Sequence, residues 1–205
     1  EYININRNNV GLFGSLNNGT LKNIRLENVN VNGGSFVGGL VGTVSNGVIE
    51  NSYVSGLIHS ENSYVGGIAG LLVGNIKDSY ANVDVGGNVD YAGGLVGNAF
   101  NSLIENSHTN GVITGRNDNT GGLVGYAAKS KIRGSYSDAV VNGNHENTGG
   151  LIGFATLGAN IVRSYSTGRV TGDNNNTGGL VGFATADSVI DMSYSDSIVE
   201  GKDNT

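Results

Sequence analysis

No cysteine and no proline occur among the 205 residues. The first absence excludes a disulfide framework, a thiolate metal site and a thiol nucleophile. The second leaves backbone pairing uninterrupted along the chain. Charged side chains make up only 14%, and the formal charge is −6 with a pI near 4.9. Phosphate backbones are bound by basic surface, so nucleic acid is not an expected partner. No apolar run approaches the roughly 18 residues that span a bilayer, so direct membrane insertion is not expected either. No leader segment is legible. The chain opens at Glu1 without Met and reads as part of a longer protein.

What is abundant is glycine, with 36 residues, and asparagine. Such bias often marks low complexity, but here Val, Ile and Leu recur in register with the glycines, which indicates a repetitive core. Gly-Gly-Leu-Val-Gly or a close variant ends at Gly14, Gly42, Gly70, Gly97, Gly125, Gly153 and Gly182. The step is 28 residues, varying by one. A fixed period in this range means one supersecondary unit stacked on copies of itself.

Each unit carries three apolar signals. The first is the Gly-Gly-Leu-Val-Gly segment. The second starts at Ile49, Ile76, Ile104, Ile132, Ile161 or Ile190 and ends in Ser-Tyr or Ser-His. The third is a branched pair such as Val112-Ile113, Val140-Val141 or Ile198-Val199. Glycine this dense costs a helix roughly 1 kcal/mol at each interior site, so the signals read as strands. The residue after each isoleucine is usually charged (Glu50, Lys77, Glu105, Arg133, Asp191), so the isoleucine points in and its neighbour out. Ile58, Val85, Ile113, Val141, Val170 and Val199 form a second inward row. Leu57, Asp84 and Arg169, each one position earlier, face solvent.

Three short strands and three turns in 28 residues predict one coil of a right-handed parallel β-solenoid of roughly triangular section. Seven coils at about 4.8 Å give a rod of about 34 Å. Glycines of the first segment are expected to supply turns with positive φ and close coil approach. Residues 1–205 form a single array, with an irregular first coil over 1–33 and regular repeats over 34–205. The end at Asp203-Asn204-Thr205 falls where the next Gly-Gly would begin, again suggesting a longer parent.

These segments, each followed by Ile-x-x-Ser-Tyr and Val-x-Gly, resemble the GLUG motif family from about Val10 onward. The resemblance implies an extracellular or cell-surface location on a bacterium, and a repetitive stalk or display module in an adhesin. Some family members are IgA-specific metallopeptidases whose catalytic domain lies elsewhere. The alternative it implies is therefore a non-catalytic substrate-positioning arm of such a secreted enzyme. The expected neighbours are flanking domains of the same chain, and the expected partners are a host glycan or an extracellular matrix protein.

No catalytic residue is expected. His-Glu-x-x-His is absent. Ser52, Ser79, Ser107, Ser135, Ser164 and Ser193 recur in every unit, as packing hydroxyls do and a single activated nucleophile does not. The charges at Glu50, Lys77, Glu105 and Arg133 alternate in sign, as in a solvated ion-pair ladder. Loops over 115–120, 143–148 and 172–177 carry oxygens of the kind calcium prefers. They have few carboxylates and no repeated Asp-x-Asp, so Asn ladders are expected in place of Ca²⁺, and no cofactor is assigned. Thr120, Thr148 and Thr177 make one short file, too little for a flat ice-binding array. The candidate binding face is the aromatic row Tyr53, Tyr80, His108, Tyr136, Tyr165 and Tyr194, which either stacks or offers a platform to a partner.

Overall fold

The computed structural model describes residues 2–5 and 7–201. Lys202 to Thr205, including the Asp203-Asn204-Thr205 end, lie outside the described residues. Among the described residues every element is a β-strand, and every pairing is parallel and runs between successive turns of the chain. The period becomes the register. Ile76 sits beside Ile104 and Ile104 beside Ile132, while Val141 sits beside Val170.

The chain is a β-solenoid of about seven turns with three sheet faces. Coil five shows the plan. Thr120–Gly121 lies on a short six-stranded face. Val124–Ala128 and Lys131–Arg133 lie on a twelve-stranded face, split by a turn. Tyr136–Gly143 lies on a ten-stranded face, called here the tyrosine face. The first two sequence signals therefore share one face. The third extends back to the tyrosine, so the corner falls inside Ile-x-x-Ser-Tyr.

Left-handed backbone makes those corners, and asparagine supplies most of it, its short polar side chain tolerating positive φ. The corner before the tyrosine face is held by Asn51 (φ 47°), Asp78 (47°), Asn106 (48°), Gly134 (56°), Arg163 (49°) and Met192 (47°). The glycines of Gly-Gly-Leu-Val-Gly do not have positive φ, contrary to the expectation from sequence. They are required for space. A Cβ on Gly93 would overlap the Val96 carbonyl oxygen and the Gly125 amide nitrogen of the next coil.

The interior is a set of ladders. Ile49, Ile76, Ile104, Ile132 and Ile161 are fully buried, as are Leu40, Leu95, Leu123 and Leu151. Each such side chain contributes roughly 1.5–3 kcal/mol through burial. The inward and outward assignments from sequence hold in the middle coils. In the last described coil Ile190 and Val199 keep the register of Ile161 and Val170 but are 44% exposed, with a described coil on one side only. In the first coil the strand Arg25–Gly33 carries a bulge between Leu26 and Val29, with Asn28 at φ 52°.

Candidate functional site

The serine row is a set of cross-coil bolts. Ser52, Ser79, Ser107, Ser135 and Ser164 are buried at the corner. The Ser79 hydroxyl donates to the Lys77 carbonyl at 2.7 Å and accepts the Ser52 amide of the preceding coil at 3.1 Å. The same pair of bonds recurs at Ser107 and Ser135. Each hydroxyl thus serves the corner carbonyl and the amide that the turn leaves free. Ser102 and Ser130, which the sequence reading passed over, do the same at the break in the twelve-stranded face. Their signal was present, but Ala159 occupies the position in the next coil, so no full row stood out.

Asparagine ladders run along the polar loops. The Asn147 side-chain amide donates to Asn119 at 2.9 Å and the Asn176 amide to Asn147 at 2.9 Å. Among the described residues no group of three or more His, Asp or Glu side chains is placed to hold a metal ion. The threonine file faces inward. Thr120 and Thr148 are fully buried, so the file is not a surface array. Of the charge ladder, Glu105 and Arg133 form a close pair, and Glu50 pairs instead with Lys22 of the preceding coil at 3.2 Å. The histidines are separate. His59 lies 3.6 Å from Glu61, His145 pairs with Asp118, and His108 lies in the aromatic row.

That row is a continuous stack. Tyr53 and Tyr80 are tilted at 4.3 Å between centroids. The steps from Tyr80 to His108, Tyr136, Tyr165 and Tyr194 are 4.6–5.0 Å with planes within 6°. The Arg25 guanidinium covers the free face of Tyr53 at 4.6 Å. The coil rise matches aromatic stacking distance, so identical register produces the stack without further design. The ring faces are therefore occupied by one another, and the row offers a partner its ring edges and hydroxyls. Burial raises the Tyr165 phenol above its usual range and lowers the His108 imidazole below its own.

A second aromatic row escaped the sequence reading. Phe36, Tyr64 and Tyr91 stack at 4.7 and 4.8 Å, then Tyr126 and Phe154 continue edge-on at 5.5 Å, and Phe154 packs on Phe183 at 5.4 Å. It crosses from the short face to the twelve-stranded face, so its members occupy two different positions of the repeat. Each position has its own signal: Phe36, Tyr64 and Tyr91 stand two residues before Gly-Gly, and Tyr126, Phe154 and Phe183 stand directly after the final glycine of Gly-Gly-Leu-Val-Gly.

On the tyrosine face beside the first row, an open groove of 530 Å³ is lined by Asn30, Asn32, His59, Asp84, Leu57, Val112 and their neighbours. It is the largest of the concavities described on that face.

Stacked parallel coils with inward aliphatic ladders define a β-solenoid repeat protein. Within that class the chain carries the GLUG motif, whose family model matches residues 61–86 and 144–171. Each match covers one coil, from the loop before the short face to the end of the tyrosine face. No curated protein and no solved structure matches the chain.

Proposed function

We infer that this array is a non-catalytic rod of a bacterial cell-surface adhesin, which makes contact along its tyrosine face or holds a distal binding domain away from the cell. The observation that carries the reading is continuity. The Tyr53-to-Tyr194 row runs unbroken across six coils, which suits an extended partner better than a single reacting group. The partners are a host glycan or an extracellular matrix protein, met at ring edges and hydroxyls.

An antibody raised against residues 1–205 should label intact source cells and reduce their attachment to glycan-coated or matrix-coated surfaces. Labelling only after permeabilisation would overturn the reading. Replacing Tyr136 and Tyr165 with Phe keeps the stack and removes two hydroxyls. If those hydroxyls take part, the double variant attaches more weakly with an unchanged melting temperature.

A further inference from the structure

Residues on the tyrosine face lie in files along the rod. One file runs Asn32, His59, Gly86, Thr114, Asn142, Thr171 and Glu200. Six of its seven members carry a polar side chain, and Gly86 is the exception. The fold does not require glycine there. Its φ is outside the left-handed region, and a Cβ would meet nothing nearer than the Thr114 carbonyl oxygen at 4.0 Å. The missing side chain leaves a notch between His59 and Thr114, and this notch deepens the 530 Å³ groove.

The walls of the groove are pinned. Asn32 donates its amide to the Asn30 carbonyl at 3.2 Å, which leaves the Asn30 amide as a donor and the Asn32 carbonyl as an acceptor. One Asp84 carboxylate oxygen accepts the Val112 backbone amide at 3.1 Å, and the other is left to accept from a ligand. In the file beside the notch, Leu57 is 50% exposed and Val112 is 38% exposed, on either side of Asp84. Exposed aliphatics flanking a fixed carboxylate on a strand face form a ledge with apolar shoulders and a polar centre.

The geometry points to a binding groove for a neutral, pyranose-containing oligosaccharide, centred on Gly86 and running along the rod. This assignment rests on the adhesive reading of the tyrosine face and names a ligand class for it. Fixed donors and acceptors in alternation match vicinal hydroxyls, and Leu57 and Val112 match the apolar C–H face of a sugar ring. Asp84 at the centre disfavours an anionic ligand. A single carboxylate is too few for a bound metal cation, which takes several oxygen ligands. From Asn30 to Val112 the groove crosses three coil steps, about 14 Å at the usual strand spacing, which suits a chain of sugars better than one. Sites of this kind combine mostly apolar walls with a few placed polar groups.

The test uses residues 1–205 as parent, with Gly86→Thr and Asp84→Asn. Gly86→Thr installs the residue found at the same position in two other coils and fills the notch, so the melting temperature should hold or rise. On an array of neutral, sulfated and sialylated glycans and cationic peptides, the parent should bind neutral glycans. Both variants should weaken that binding at least about tenfold, as expected for central contacts. Nuclear magnetic resonance titration with the best neutral glycan should shift the Leu57 and Val112 methyl signals in the parent. Equal binding by parent and Gly86→Thr would overturn the groove and leave adhesion by another part of the face intact. Binding of cationic peptides only, or of no glycan, would also overturn the groove. The surface-rod reading would still stand or fall on antibody labelling of intact cells.

Discussion

At the residue scale, one repeat position serves different ends according to what it stacks on. His108 occupies a place that is tyrosine in the coils on either side, with Tyr80 at 4.9 Å and Tyr136 at 4.6 Å. Burial in that stack disfavours the imidazolium, so the folded state holds His108 less protonated than the unfolded chain does. Stability from this residue is complete above the unfolded value of about 6.5 and is lost as pH falls below it, because the unfolded state then binds more protons. His145 works in the opposite sense, since its bond to Asp118 raises its pKa and its stabilisation is lost as pH rises. A comparison with His108→Tyr isolates the first effect. The variant should lose less melting temperature between pH 7.5 and pH 5.5 than the parent. An identical acid-induced drop in both would show that His108 carries no such cost.

At the element scale, alternation along a strand decides which changes the fold tolerates. In Lys131–Arg133 the middle residue points into the core and its neighbours point out. Ile132 is fully buried between Ile104 and Ile161, while Arg133 is exposed and paired with Glu105. Ile132→Asp puts an unpaired carboxylate among aliphatic side chains and removes two ladder contacts. A loss above about 4 kcal/mol is expected, enough to unfold the middle coils. Arg133→Ser removes one solvent-screened ion pair, at a cost of about 0–1 kcal/mol. Chemical denaturation of the two variants checks this, and equal midpoints would reverse the inside and outside assignment. Both the inward isoleucines and the outward charges were legible in the sequence, because period two within a strand and period 28 between strands act on the same residues. The corner was less legible. Nothing local in Ile-x-x-Ser-Tyr shows that Asn51, Asp78 and Arg163 share one left-handed conformation, which Arg163 adopts against its own preference because its neighbours in the stack impose it.

At the scale of the whole molecule, each coil touches only the coils beside it, so stability is a sum of coil and interface terms. Removing one full period should therefore preserve the fold. Deleting residues 121–148 joins Thr120 to Gly149, reproducing the Thr148–Gly149 step found in the parent register. That shortened chain should melt cooperatively with parallel-sheet circular dichroism. Deleting residues 121–134 removes half a period, places outward residues against the core, and should give no cooperative transition. Cooperative melting of the half-period deletion would contradict the ladder account. The same nearest-neighbour rule explains the exposure of Ile190 and Val199, which have a described coil on one side only, whereas Met192 is exposed because its corner position faces solvent in the other coils too.

The sequence by itself determined the repeat, the parallel stacking, the inward aliphatic ladders and the packing role of the serines, because each follows from periodicity and from the chemistry of one repeat position. Tertiary structure alone decided how the aromatics are used. The coil spacing turns the Tyr53-to-Tyr194 row into a stack with occupied ring faces, and it brings Phe36, Tyr64, Tyr91, Tyr126, Phe154 and Phe183 together from two different repeat positions. It also decided between the two uses expected of the Gly-Gly pairs, keeping close coil approach and discarding positive φ, whereas Gly86 is required for neither. The physical reason is that stacking distance, ring orientation and free space are properties of neighbouring coils. A linear pattern records which residues recur, and only the wound chain sets what each recurrence meets.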